Sequence, residues 1–297
     1  MNYKLLMEAR GAYSEGLNII DLVGKKYPNQ RSLAIEVAYD LQAGSYIKQF
    51  YADVEKKKAY TNEGGDLLQR HISDDSTILN VGAGELWTIS LMLDRASIKP
   101  KKVFNLEISW SRINVGRKFW NEIHNNSIDM QPFVADMLEI PLPSNSVDLI
   151  TSSHALEPNG VQLDKIISEL FRVSRDKCVL FEPHYENCTT EVQVRMDKLG
   201  YIKNVEKTVN KFGGKIEEII PVLNSQNPMN PTSCFVIKVP IKNTGHKRAD
   251  FFTIPGTDYH LEHKGGAFYS IDTGLAFPIL DDIPILKMQT SILASKY

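Results

Sequence analysis

Cysteine is scarce in this chain. Its three copies, Cys178, Cys188 and Cys234, show neither the pairing of a disulfide framework nor the Cys-x-x-Cys spacing of a metal site. That excludes a stapled secreted module and a thiolate metal centre, and reduced, buried thiols fit a cytoplasmic protein. Long apolar runs are missing too. None approaches the roughly 20 residues a membrane helix needs, and the opening Met-Asn-Tyr-Lys-Leu-Leu-Met-Glu-Ala-Arg has no apolar core of a signal peptide. An excess of positive charge is also absent: the formal charge of −2 argues against a sequence-independent grip on nucleic acid. The apolar and charged fractions, 42% and 24%, are those of an ordinary globular chain. A length of 297 residues accommodates one sizeable domain and a small appendage.

What is present is organised around Thr77-Ile-Leu-Asn-Val-Gly-Ala-Gly-Glu85. A β-branched, apolar run stops at Gly82-Ala83-Gly84, and residues 87–95 are compatible with a helix, so the stretch reads as strand, tight turn, helix. Glycine is expected in the turn because a Cβ would block a ligand's approach to the backbone. The third glycine of a dinucleotide fingerprint is lacking, since Leu86 and Trp87 follow, and so is the Gly-Lys-Ser/Thr of a phosphate loop. Nothing here cradles a pyrophosphate or a triphosphate. An acid, Glu107, ends the next apolar segment, where it would grip a ribose diol. Together these features point to a cofactor with adenosine and no phosphates.

Downstream, strand-like and helix-like stretches alternate as a parallel sheet requires. Helices are expected over 108–120 (capped by a serine), 163–173 and 191–199 (closed by Gly200), and strands over 102–107, 130–135, 148–153, 177–182, 215–220 and 234–239. The expected fold is α/β: a Rossmann-like, doubly wound, seven-stranded and mostly parallel sheet. A helical cap over 1–74 precedes the cofactor-binding domain at 75–241, and a small C-terminal domain, α+β or all β, occupies 249–297. The polar stretch 242–248 reads as a linker.

The order of these segments resembles the class I S-adenosylmethionine-dependent methyltransferases, including the type 11-like group, across roughly residues 75–240. Leu79-Asn-Val-Gly-Ala-Gly-Glu85 is similar to that family's first motif, which implies that Asn80, Gly82, Ala83 and Gly84 pass beneath the methionine part of the cofactor. Asn80 stands where the family usually has an acid; its amide still accepts a hydrogen bond. Glu107 matches the acid that binds the ribose hydroxyls, and Asp136 with Met137 matches the loop that holds adenine. Asp148-Leu-Ile-Thr-Ser-Ser153-His154 matches the fourth strand and the entry to the active site. The resemblance further implies that the N-terminal cap covers the cofactor and helps to choose the substrate, and that the last two strands are antiparallel.

Polar residues gather at two strand ends, where open α/β enzymes place their sites. His154, Glu157 and Asn159 follow the fourth strand; Glu182, His184, Tyr185 and Glu186 follow the fifth. Methyl transfer needs an oriented acceptor and, for a hydroxyl, a base. His154 is the first candidate base and His184 the second, because imidazole titrates near neutral pH. Glu157, Glu182 and Glu186 would orient either histidine or bind a polar acceptor, which Tyr185 and Asn159 would hydrogen-bond. In the cap, Tyr46, Tyr51 and Tyr60 would line a pocket.

Residues 251–297 contain Gly274-Leu-Ala-Phe-Pro-Ile-Leu-Asp-Asp-Ile-Pro-Ile-Leu286, which resembles the small zinc-ribbon-like activator of tRNA and protein methyltransferases. His260-x-x-His263 and Ser270-x-x-Thr273 fall where that family often has Cys-x-x-Cys pairs, and two imidazoles without thiolates make a poor closed zinc site. No metal is expected, and the unit's expected role is to cover apolar surface or to frame the substrate, with contact from His260 or His263 if it reaches the cleft. The expected function is S-adenosylmethionine-dependent methyl transfer to a polar small molecule (a sugar, nucleotide-sugar or amino-acid-like acceptor), with O-methylation favoured. An RNA or protein methyltransferase, or a non-catalytic protein that keeps the cofactor fold as a scaffold, are the alternatives. A homodimer is compatible with this reading.

Overall fold

Apolar strands buried on both faces need helices on both sides, and such a sheet is what these runs build. The structure, a computed structural model, describes residues 3–241 and 250–297; the expected linker at 242–248 lies outside the described residues. The sheet strands are β1 (Thr77–Val81), β2 (Lys102–Glu107), β3 (Asp129–Val134), β4 (Val147–Ser153), β5 (Ser174–Pro183), β6 (Lys215–Pro221) and β7 (Thr232–Lys238), in the order β3-β2-β1-β4-β5-β7-β6. The first five of that order run parallel, while β7 is antiparallel to both β5 and β6. Every residue of β1 is buried, Asn80 included. Strand order reverses between β1 and β4, so the carboxyl ends of these two strands open the crevice that open α/β sheets use for ligands.

Five helices form the cap: α1 (Tyr3–Ser14), α2 (Ile19–Lys26), α3 (Arg31–Leu41), α4 (Ser45–Ala52) and α5 (Val54–Leu68). The first three share a small core of their own around Leu5, Ala9, Ile19, Val23, Ala34 and Val37. The layers flanking the sheet are α6 (Trp87–Arg95), α7 (Trp110–His124), α8 (Leu163–Val173), α9 (Thr190–Leu199) and α10 (Val205–Lys211). Ser109 caps α7, its hydroxyl accepting from the Arg112 amide, and Gly200 closes α9 in the left-handed region. Helix α10 has no counterpart among the expected elements; its polar Val-Glu-Lys-Thr-Val-Asn-Lys stretch buries only Val205, Thr208 and Val209.

The C-terminal unit is a six-stranded antiparallel sheet. Its strands are β8 (Phe252–Thr253), β9 (His260–Lys264), β10 (Ala267–Tyr269), β11 (Leu275–Leu280), β12 (Ile283–Pro284) and β13 (Ile292–Leu293), in the order β12-β11-β10-β9-β8, with β13 on β11. It seats Phe252 among Phe104, Phe133 and Phe268, at ring-centroid distances of 6.0, 5.1 and 5.1 Å. The chain after β12 pairs with the free side of β3: Ile285 bridges Val134 in parallel, and the Leu286 amide donates to the Val134 carbonyl at 2.7 Å. Arg117 joins Asp281 at 2.5 Å and Lys287 joins Glu36 of α3 at 2.6 Å, so the appendage is fastened to both sheet and cap. No helix of the described residues is long and apolar enough to cross a membrane.

Candidate active site

The glycine turn after β1 is shaped by its protein neighbours. A Cβ on Gly82 (φ +64°) would stand 2.2 Å from the Ala155 methyl, and one on Gly84 (φ +56°) 2.9 Å from Arg112 Nη2. The positive φ at both positions and, at Gly82, the β4 loop therefore favour glycine in addition to the expected need for a ligand to approach the backbone. Leu86, two residues past Gly84, adopts the left-handed conformation itself (φ 61°) and is fully buried. Burying its side chain offsets a backbone cost of roughly 1–2 kcal/mol. Gly116 of α7 lies under the turn, and a Cβ there would be 2.6 Å from the Glu85 carbonyl carbon. Gly116→Ala is expected to lower stability by about 1–3 kcal/mol and to weaken cofactor binding by lifting the turn. Thermal unfolding and a binding titration would check both effects, and an unchanged variant would mean that the turn does not rest on α7.

A cavity of about 410 Å³ opens above this turn. Its floor holds Gly82, Ala83, Gly84, Glu107, Asp136, Met137 and Ser153, and its roof holds Tyr39, Tyr46 and Tyr60 from the cap. Glu107 Oε2 accepts from the Gly84 amide at 2.8 Å and Oε1 from the Ser109 amide at 3.1 Å, which fixes the carboxylate at the rim of the turn. Asp136 Oδ1 accepts from the Leu138 amide at 3.0 Å. Tyr60 and Ser153 share a hydrogen bond of 2.8 Å between hydroxyls, and burial raises the Tyr60 phenol, so it stays protonated. Asn80 is absent from this wall: its amide donates to Asn105 Oδ1 at 2.9 Å and lies beneath the turn, beside a cavity of about 30 Å³. Tyr51 is exposed, with its hydroxyl toward Glu122.

His154 reaches the cavity from a left-handed residue (φ 54°) at the end of β4. Its Nδ1 lies 2.7 Å from Glu157 Oε2 and its Nε2 2.8 Å from Thr232 Oγ1. Asn230 donates to the same Glu157 oxygen at 2.7 Å. Burial alone would lower the imidazole pKa, but the hydrogen bond and charge of Glu157 outweigh it, and the net shift is upward from 6.5. Both ring nitrogens are therefore engaged. Asn159 lines the cavity nearby, its amide donating to the Ala155 carbonyl at 3.3 Å.

Four expected residues lie elsewhere. Glu182 is buried and accepts from Ser152 Oγ (2.8 Å) and from the amides of Ala155, Leu156 and Glu157 (3.0, 3.1 and 3.2 Å). It staples the β4 loop rather than facing a ligand, and burial pushes its pKa to about 7. After Pro183 the chain turns away from the crevice. His184 packs on Phe235 with ring centroids 5.2 Å apart, the Tyr185 hydroxyl donates to Asp197 at 2.9 Å, and Glu186 accepts from the Asn204 amide at 2.6 Å. None of these four lines the cavity, nor do His260 and His263, whose rings rest on Phe251 and Phe268.

Two charged groups at the site carry no signal of their role in the sequence. Glu85, 1% exposed, accepts from the amides of Gly44 (2.9 Å), Tyr46 (3.4 Å) and Ile47 (2.8 Å), tying the start of α4 to the glycine turn. Arg112 projects from α7 into the cavity with its guanidinium over the Tyr39 and Tyr46 rings. Glu85 closes the glycine-turn stretch and Arg112 lies on the helix after β2, yet nothing in either stretch announces a partner some 40 or 70 residues earlier in the cap.

Residues 79–181 match a family model described as a methyltransferase domain. The fold is similar to that of a chain from the complex between the Haloferax volcanii Trm112 methyltransferase activator and a proposed methyltransferase (13% identity, 67% of this chain and 99% of that one, TM-score 0.51). It is also similar to a SAM-dependent methyltransferase from Aquifex aeolicus (16% identity, 66% of this chain and 98% of that one, TM-score 0.49). No curated protein sequence matches the chain.

Proposed function

We propose that this chain, an S-adenosylmethionine-dependent methyltransferase, methylates a hydroxyl of a polar small molecule such as a sugar, nucleotide-sugar or amino-acid-like acceptor. The supporting observation is the cavity itself: about 410 Å³, roofed by the cap and walled by Tyr60, Ser153, His154 and Asn159, it suits a cofactor and a small polar partner. The residues present fit the cofactor. The apolar Leu106, Ile108 and Met137 suit an adenine, Glu107 at the rim suits a ribose diol, and Gly82–Gly84 leave room for the methionine part. Asp136 would bind at the adenine edge. The cofactor supplies a methyl group on a sulfonium, and the protein's task is to align the acceptor oxygen in line with it and to remove its proton.

In this reading His154 is the base, and it takes the acceptor proton at Nε2 once the acceptor hydroxyl replaces that of Thr232. Glu157 holds Nδ1–H and stabilises the imidazolium formed. Tyr46, Tyr60 and Asn159 contact the acceptor. Because Glu157 raises the His154 pKa, the neutral base accumulates only above pH 6.5, so kcat is expected to rise with pH across that region. His154→Gln is expected to lower kcat about 100-fold and to remove that limb.

The first experiment is transfer of labelled methyl to an extract separated into small molecules, RNA and protein. Label in the small-molecule fraction supports the reading. Label only in RNA or protein would overturn the acceptor class, and no transfer to any fraction would favour the scaffold alternative.

A further inference from the structure

Arg112 is 8% exposed and lines the cavity, yet its guanidinium has no tight ion pair. The carboxylate nearest to it, Glu85, comes no closer than 4.0 Å from Nε, and its oxygens already serve the amides of Gly44, Tyr46 and Ile47. Arg112 Nε is buried and makes no hydrogen bond among the described residues. The Tyr46 and Tyr39 rings, 4.5 and 4.9 Å away, stabilise the cation but offer its N–H groups no in-plane acceptor. A buried guanidinium left this way is costly unless an anion completes it.

We propose that Arg112 binds a carboxylate inside the cavity, brought either by the methionine end of the cofactor or by the acceptor. The proposal rests on the methyltransferase reading and deepens it. The planar fork of a guanidinium matches two coplanar oxygens. A multiply charged phosphate fits less well, because Glu107, Asp136 and Glu157 line the same cavity and would repel it. Arg112 and Glu85 thus form a two-part device. Glu85 holds the cap's α4 start over the turn, and Arg112, lodged between cap and sheet, presents the charge.

Calorimetric titrations with S-adenosylmethionine, its decarboxylated analogue and 5′-methylthioadenosine test this in the wild type, Arg112→Gln and Arg112→Lys. If the cofactor brings the carboxylate, the wild type prefers S-adenosylmethionine over the decarboxylated analogue by about 10- to 100-fold. Arg112→Gln then loses that preference, Arg112→Lys keeps only part of it, and both retain 5′-methylthioadenosine affinity, which reports an intact site. If the acceptor brings it, the preference is absent, and acetate shows saturation transfer on wild-type protein loaded with S-adenosylhomocysteine but not on loaded Arg112→Gln. Neither a preference nor an acetate signal in a wild type that binds 5′-methylthioadenosine overturns the proposal. A folded wild type that binds none of the adenosine compounds overturns the cofactor reading beneath it.

Discussion

Replacing Glu85 with alanine is expected to lower the unfolding free energy by about 3–5 kcal/mol, the usual cost of breaking a buried charged cluster from one side. The carboxylate accepts from three backbone amides at the start of α4, and alanine would leave all three without an acceptor in a closed space. It would also remove the acid that faces the buried Arg112. Glu85→Gln keeps the shape and one acceptor oxygen, so its loss is expected to be about half as large. Chemical denaturation of the three proteins would check the order, and cofactor titration would show whether the cap still closes. An alanine variant as stable as the wild type would mean that α4 is held by its apolar contacts alone.

The second large effect is a pH dependence. Burial raises Glu182 from 4.5 to about 7, against the pull of four donors that favour its ionised form, and Glu157 raises His154 from 6.5. Both groups bind their protons more tightly in the folded chain than in the unfolded one. The stability each contributes is therefore complete below its unfolded pKa and is lost as pH rises through the folded value. For Glu182 the window runs from pH 4.5 to about 7 and corresponds to about 3 kcal/mol. The wild type is accordingly expected to lose about 3 kcal/mol more than Glu182→Gln between pH 4.5 and pH 8. Denaturant midpoints across that range provide the measurement, and parallel curves for the two proteins would refute the assignment. His154, at the end of β4, lies close enough to Glu182 of β5 for the two charges to act on each other, so the two titrate as a coupled pair.

The parts of this molecule legible in the sequence are those whose cause is local. Strands β1 and β2 and helices α6 and α8 begin and end where their apolar runs, caps and turns say. Residue type at a strand end is a weaker guide. His154 and His184 follow neighbouring parallel strands, yet a left-handed turn sends one into the cavity while a short 3₁₀ turn sends the other onto Phe235. Glu182 resembles a ligand-binding acid in sequence, and only the return of the β4 loop over it reveals a staple. Arg112 and Glu85 were illegible for the same reason: their partners come from the cap, whose packing no spacing rule encodes. Asn80, expected against the cofactor, proved to be turned into the sheet by Asn105, a residue one strand away.

The pairing of β3 with the chain after β12 also bears on how the protein is made. Val134 and Ile285 are joined across roughly 150 residues of sequence. At ribosomal speeds of about 5–20 residues per second, the β3 flank would remain bare for about 8–30 seconds after it emerges. During that time its unpaired amides and carbonyls are a template for any passing strand. The nascent chain thus carries its hazard early and its remedy late, and the late segment acts as a built-in guard against strand-to-strand clumping.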